Sequence, residues 1–305
     1  MSAATRRQLA DRMKKPELIV APGVFDGVSV RIADRMGFDC LYMTGYGVVA
    51  SYLGLPDAGI ATYGDMVNRV TMIANHAKTP FIADGDTGYG GLLNVQQTVR
   101  GYEAAGACGI QLEDQEFPKK CGHMMGRRVI PTQDMAAKVR VAVESRSDKN
   151  FLIVARTDSR TTYGIDEALR RGEAYLQAGA DVIFIESPES VEEMKKICDT
   201  FKGVPTLANM VEGGRTPVLD AKSLQELGYR IAIFPGTGFL AAAKAVEMAY
   251  TDLKKHGSTT KLSVPVYDFK SFSALMGFDW VAEFDKKYRG IEETSLGLTR
   301  DAGKS

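Results

Sequence analysis

Eight short apolar runs, each followed by enough chain for a helix, constrain the fold of this sequence more than any other feature. They are Leu18–Val24, Cys40–Thr44, Pro80–Asp86, Gly109–Asp114, Phe151–Asp158, Val182–Ser187, Thr206–Met210 and Ile231–Pro235. Successive centres lie about 21 to 42 residues apart, the length that a strand, a helix and two loops occupy. Most of the runs are continuously apolar rather than alternating, the pattern of a parallel sheet covered on its outside. The intervening segments have helical spacing. In Ile165–Ala178, for instance, Ala168, Leu169, Gly172 and Leu176 share one face. Ala105-Gly106-Ala107 and Ala178-Gly179-Ala180 supply glycine helix stops just before two of the runs. Eight such units close most simply into a (β/α)8 barrel of TIM type; an open, doubly wound sheet is the competing arrangement.

A basic, helix-compatible segment, Ala3–Lys15, precedes the first run and lacks the apolar core of a secretory signal. After the eighth run come a helix, Phe239–Lys254, and a Gly/Ser/Thr/Pro-rich linker, His256–Val266. A last helical segment, Phe269–Tyr288, sets Phe272, Leu275, Met276, Val281 and Phe284 at near-helical spacing. It is too apolar to stand in water, so it must dock on the barrel or on a neighbouring subunit. The barrel is expected over 1–256, with 257–305 forming the linker, the helix and a loose tail after about Gly290 within the same structural domain.

Composition narrows the function. The 38 Lys and Arg balance 38 Asp and Glu, so no basic footprint points to nucleic acid. No apolar run reaches the roughly 18 residues that span a bilayer. The four cysteines form no CxxC pair, and three histidines are too few for a multi-histidine metal site. The expectation is a cytoplasmic enzyme acting on a small molecule.

In such a barrel, reactive groups collect at the C-terminal ends of the strands. Three acids meet there. Asp84 and Asp86 are two apart on one strand and point the same way, and Glu113 stands at matching height on the next. Three carboxylates with no histidine suit a hard cation, Mg²⁺ or Mn²⁺, held partly through waters. Salt bridges or helix caps are the alternative use of such acids. After the fourth run, residues 115–127 form a polar, glycine-containing excursion with the character of a lid. It carries Cys121 between Lys119-Lys120 and His123, cationic neighbours expected to depress the thiol pKa. Cys40, Cys108 and Cys198 lie among apolar neighbours and read as small buried hydrophobes. The glycines of 85–91 lack the lysine of a phosphate loop, and Gly236-Thr237-Gly238 is a weak phosphate signal.

Three pieces carry a resemblance: Tyr42-Met43-Thr44-Gly45, Asp84-Gly85-Asp86-Thr87-Gly88-Tyr89-Gly90 and Lys119-Lys120-Cys121-Gly122-His123. Together with the strand spacing from about residue 15 to 290, they resemble the isocitrate lyase / phosphoenolpyruvate mutase superfamily. The cysteine motif is similar to its carbon–carbon lyase branch, and Thr44-Gly45-Tyr46-Gly47 is most similar to the members that act on 2,3-dimethylmalate or oxaloacetate. The resemblance implies a Mg²⁺-dependent cleavage of a 2-hydroxy dicarboxylate. 2,3-Dimethylmalate, giving pyruvate and propionate, is the leading substrate, since Thr157 stands where the oxaloacetate branch is thought to need a serine. Oxaloacetate, 2-methylisocitrate and phosphonopyruvate follow in that order.

Residue by residue, the resemblance implies that Asp86 contacts the metal while Asp57, Asp84 and Glu113 hold its waters. Thr44, Gly45, Tyr46 and Arg156 would bind one carboxylate, and Gly122, His123 and Asn209 the other, with Glu186 ordering the site. Cys121 would be the general acid, with Lys119 beside it; Tyr42 and a metal-bound water are the candidate bases. The superfamily also implies a homotetramer in which the last helix is swapped between subunits.

Overall fold

The computed structural model describes residues 1–295, with side chains to 289. In chain order the elements are α1 (Ala3–Met13), β1 (Ile19–Val24), α2 (Gly27–Asp34), β2 (Leu41–Met43), α3 (Gly45–Leu53), α4 (Tyr63–His76), β3 (Phe81–Asp84), α5 (Leu92–Ala105), β4 (Gly109–Glu113), α6 (Thr132–Ser145), β5 (Leu152–Thr157), α7 (Arg160–Tyr163), α8 (Ile165–Gln177), β6 (Val182–Ile185), α9 (Val191–Thr200), β7 (Thr206–Asn209), α10 (Ala221–Leu227), β8 (Ile231–Phe234), α11 (Thr237–His256), α12 (Phe269–Met276) and α13 (Phe278–Ser295). All eight strands stand where the apolar runs placed them. They pair in parallel and in sequence order, and β1 closes on β8 through Ile19 opposite Ile231 and Pro22 opposite Phe234. The chain is a (β/α)8 barrel of TIM type, and the open sheet is excluded by that last pairing.

The two longest inter-strand segments hold more than one helix or loop. Between β2 and β3 lie both α3 and α4, and between β4 and β5 the chain first makes the excursion of residues 115–131 before entering α6. Apolar side chains fill two layers. One lies between the strands and the outer helices and includes Val30, Met66, Val99, Met135, Leu169 and Met194. The other fills the barrel's N-terminal end, where Leu9, Ala10 and Met13 of α1 pack with Ile19, Cys40, Cys108, Leu152, Val182 and Ile231. The expected N-terminal helix is therefore a plug for the barrel's lower end. Cys40, Cys108 and Cys198 are buried as expected.

The chain divides into two compact units, Met1–Val246 and a second that begins at Glu247, with the boundary inside α11. In the second unit the segment read as one helix is two. Gly277, at φ 98° in the left-handed region, ends α12, and α13 begins at the next residue. Helix α13 continues to Ser295, past the point at which a tail was expected; the remainder of that expected tail lies outside the described residues. Phe269, Phe278 and Trp280 are exposed. Among the described residues no helix is long and apolar enough to cross a membrane.

Candidate active site

A cavity opens at the C-terminal ends of the strands. Its walls bring together Tyr42, Thr44, Tyr46, Asp57, Asp84, Lys119, Cys121, Gly122, His123, Arg156, Glu186 and Asn209, all expected from the sequence. Asp86 and Glu113 stand behind this lining, against Lys119 and Arg156 respectively, and Gly45 lies against Asp84. Val211, Ile233, Pro235, Gly236 and Phe239 complete the wall on the β7–β8 side. Of these, Gly236 belongs to the weak phosphate signal, whereas Val211, Ile233, Pro235 and Phe239 were not foreseen, because in sequence they look like any other core position.

Local geometry follows from the strand ends. Thr44 caps α3, its Oγ1 accepting from the Gly47 N–H at 3.4 Å, so the free N–H groups of the first turn gather beside the cavity. A Cβ on Gly45 would come within 2.5 Å of Asp84 Oδ2; only glycine admits the carboxylate so near that helix end. Asp84 Oδ1 accepts from the Asp86 N–H at 3.0 Å, and Asp86 holds a left-handed backbone, φ 47°, that is strained for a non-glycine residue. Asp86 O in turn accepts from the Glu113 N–H at 2.9 Å, tying β3 to β4.

The charges fall into two sets. In the first, Lys119 Nζ lies 2.6 Å from Asp86 and is also paired with Asp57, with its side chain 4% exposed. These acids hold Lys119 as an ammonium, well above the ordinary lysine pKa despite its burial. Burial and the neighbouring Asp86 push Asp84 up to about 6; burial also raises Asp57, and it raises Glu113 strongly. Glu113 accepts from Gln115 Nε2 at 3.0 Å and lies 3.2 Å from Arg156. In the second set Arg156 grips Asp158 with two bonds of 2.9 Å and lies 3.5 Å from Glu186. Arg127 reaches Asp158 from the other side. Burial alone would raise Asp158 and Glu186, but the guanidinium groups hold both below their ordinary values.

The excursion expected to be a lid lies across the cavity. Cys121 N–H donates to Asp57 O at 3.1 Å, and Ser187 Oγ to Gly122 O at 3.0 Å. A Cβ on Gly122 would lie 2.7 Å from Glu186 Oε2, so the close fit depends on glycine. His123 Nδ1 accepts from the Arg215 N–H at 3.1 Å, which leaves the ring proton on Nε2, 3.6 Å from Glu186 Oε1. Burial lowers the His123 pKa and favours this neutral form. One expectation is corrected: the Cys121 thiol is raised, not depressed. Its burial is the main cause, and Lys119, on which the expectation leaned, is spent on Asp57 and Asp86. A thiol kept protonated is a proton donor rather than a nucleophile. Tyr42 likewise is held as a phenol by burial and by Asp84, and its hydroxyl donates to Gln111 at 2.7 Å.

Sequence reasoning missed Gln111 on β4 and Gln115 just past its end, both bonded to Glu113, and the Asp158 and Arg127 pair. The i, i+2 alternation could have found the glutamines. Thr157, weighed as a substrate contact, instead donates to Asp114 at 2.7 Å and does not reach the cavity.

Among the described residues no three acid, histidine or cysteine side chains converge closely enough to ligate one ion by themselves. The donor set nonetheless fits a hard cation bound largely through water. It is all oxygen, its acids outnumber the nearby cations, and Asp86 Oδ1, although buried, accepts no well-directed hydrogen bond.

The family model described as phosphoenolpyruvate phosphomutase matches residues 9–254. The chain belongs to that family. It is a carbon–carbon lyase of the wider isocitrate lyase / phosphoenolpyruvate mutase superfamily, as the lid motif implied. It is 49% identical over 287 residues to the 2,3-dimethylmalate lyase of Eubacterium barkeri, covering 94% of this chain and 98% of that one. It is 40% identical to a 2-methylisocitrate lyase of Aeropyrum pernix, covering 88% and 86%. Among solved structures, oxaloacetate acetylhydrolase in complex with 3,3-difluorooxalacetate superposes with a TM-score of 0.88 at 35% identity, covering 93% and 97%.

Proposed function

We propose that the protein is a cytoplasmic, Mg²⁺- or Mn²⁺-dependent lyase that splits 2,3-dimethylmalate between C2 and C3 into pyruvate and propionate. The observation that carries this reading is the two-faced cavity. Acids and Arg156 line one side and Val211, Ile233, Pro235 and Phe239 the other, so a dicarboxylate bearing alkyl substituents meets complementary surface on both. The 49% identity to a dimethylmalate lyase supports the substrate.

Asp86 would touch the ion, and Asp57, Asp84 and Glu113 would hold its waters, Lys119 giving way from between Asp57 and Asp86. The bound ion would lower the pKa of the substrate hydroxyl and steady the C2 oxygen. The remaining work falls to the chain. The α3 N-terminus at Thr44-Gly45-Tyr46, with Arg156, binds the C1 carboxylate; Gly122, the Nε2–H of His123 and Asn209 bind the C4 carboxylate, with Glu186 fixing the histidine and the asparagine. The hydroxyl proton would pass to a water held among Asp57, Asp84 and Glu113, the C2–C3 bonding electrons pass to C3 and its carboxylate, and the Cys121 thiol gives its proton to C3, leaving a thiolate that takes up a proton again before the next turnover. The closed lid keeps bulk water from competing for that step. The subunits assemble as a homotetramer that exchanges the C-terminal helices, which would cover the exposed Phe269, Phe278 and Trp280.

Oxaloacetate hydrolysis to oxalate and acetate is the second reading, favoured by the superposition on an acetylhydrolase. A panel of substituted malates with oxaloacetate, assayed for pyruvate, oxalate and acetate in Mg²⁺, separates the two. Pyruvate from dimethylmalate at the highest kcat/KM is expected; oxalate as the dominant product would reverse the order. Cys121→Ser should lower kcat by about 10²- to 10⁴-fold while binding persists, the range for loss of a general acid. Turnover near the wild-type rate would remove Cys121 from the mechanism.

A further inference from the structure

We propose that Ser187 and Arg127 are positioning residues that latch the lid on both sides of Cys121 and make its closure one event with the orientation of Arg156. The inference rests on the reading of Cys121 as the group the lid delivers.

On one side, Ser187 is wholly buried and held at φ 58°, a conformation that a residue with a side chain adopts only when its surroundings impose it. That conformation puts its hydroxyl 3.0 Å from Gly122 O and 3.1 Å from Glu186 Oε1. A hydroxyl has one proton to donate. Glu186 Oε1 already receives the Ser187 N–H at 2.7 Å, so the hydroxyl is free to hold the carbonyl next to Cys121. With the lid raised, the same proton turns to Glu186 and nothing is left unpaired.

On the other side, the Arg127 side chain is fully shielded although it belongs to the lid. It donates to Asp158 and Thr161, and its Nε binds Met124 O at 3.0 Å, closing the turn that follows Cys121. Thr162 Oγ1 donates back to Arg127 O at 3.3 Å. A guanidinium buried this way is stable only while its carboxylate partner is in place. Both latches end on acids, Glu186 and Asp158, that Arg156 also contacts. The lid therefore shuts only on an Arg156 already aligned for a carboxylate, and raising it slackens the groups that aim Arg156.

The test reads Cys121 exposure rather than turnover. Full-length protein in Mg²⁺, with and without oxalate, is treated with iodoacetamide, and modification of each cysteine is followed by peptide mass spectrometry. Buried Cys40, Cys108 and Cys198 report whether a variant stays folded. Arg127→Gln should speed Cys121 modification about tenfold or more and abolish its slowing by oxalate, with Arg127→Lys in between. Ser187→Ala and Ser187→Gly should both speed it several-fold. Alanine strains at φ 58° and glycine relaxes there, so effects in opposite directions would assign the contribution to backbone strain and overturn the hydroxyl latch. Rates within twofold of wild type in folded Arg127→Gln and in both Ser187 variants would overturn the proposal. Should alkylation respond as expected while Cys121→Ser retains turnover, the latch stands and the role given to Cys121 falls. In kinetics, Arg127→Gln should raise KM for the dicarboxylate as well as lower kcat, since Arg156 loses its alignment. A fall in kcat alone would break the link to Arg156.

Discussion

The two sets of acids around the cavity are both buried and electrostatically opposite. At the ends of β3 and β4, Asp84 is pushed up to about 6 and Glu113 is raised, as is Asp57 beside them. At the ends of β5 and β6, Asp158 and Glu186 are held below their ordinary values. Desolvation acts on all five; what differs is the supply of cations. Arg156 and Arg127 close around Asp158, and Arg156 and His123 stand by Glu186, so that half is complete within the chain. The other half has Lys119 for three aspartates and shares Arg156 for Glu113. Oxygen ligands left short of positive charge are what a binding site for a cation looks like before the cation arrives.

Removing divalent ions tests that contrast most severely. Dialysis against EDTA should lower turnover by at least about 10³-fold, and Mg²⁺ or Mn²⁺ should restore it, the scale expected when several kcal/mol of charge stabilisation is withdrawn. Full activity in EDTA would mean that Lys119 completes the β3–β4 half by itself and that the two halves do not differ in their need for a cation.

The second test replaces the most perturbed acid of the unfinished half. A carboxyl whose folded pKa stands near 6, against an ordinary 3.8, binds its proton more tightly folded than unfolded. Stability then falls as pH rises from about 4 to 6, and the full cost, on the order of 3 kcal/mol, persists above that range. Asp84→Asn keeps an acceptor for the Asp86 N–H but carries no charge. In EDTA it should melt above wild type at pH 7.5, with the gap closing towards pH 4.5. Mg²⁺ should cancel or reverse the gap, because only the carboxylate helps hold the ion. A constant difference across pH would show that Asp84 does not titrate as placed. The wild type serves as the reference because His123, held neutral by burial, acts in the opposite sense through the same window.

The same contrast marks what could be read from the sequence. Strands buried on both faces are continuously apolar, so all eight were visible, and the spacing of Asp84 and Asp86 along one strand announced the acid half. The balanced half was not visible as such. Asp158 was plainly at a strand end, but its pairing with Arg127, 31 positions away, exists only once the lid folds over it. The Cys121 thiol failed for the same reason, since sequence shows its basic neighbours but not that Asp57 and Asp86 have claimed Lys119. Val211, Ile233 and Phe239 could not be told from core, and Gly277 divided a helix whose apolar spacing ran on across the break.

The smallest expected effect concerns Tyr42, which stands on β2 at the edge of the acid half and was a candidate base. To serve as one it would have to ionise beside Asp84 and Glu113, in a position where burial already favours the phenol. Its proton is moreover committed to Gln111, which lies 3.4 Å from Glu113 through its own amide. The hydroxyl therefore acts as one donor in a line that ends on an acid, a contribution of about 1 kcal/mol. Tyr42→Phe should lower kcat/KM by less than about tenfold and leave the pH profile of kcat unmoved. A loss of 10²-fold or more, with a change in the alkaline limb, would instead make Tyr42 the base. It would also mean that the acid half, when loaded with its ion, carries enough positive charge to bring a buried phenol within reach of neutral pH.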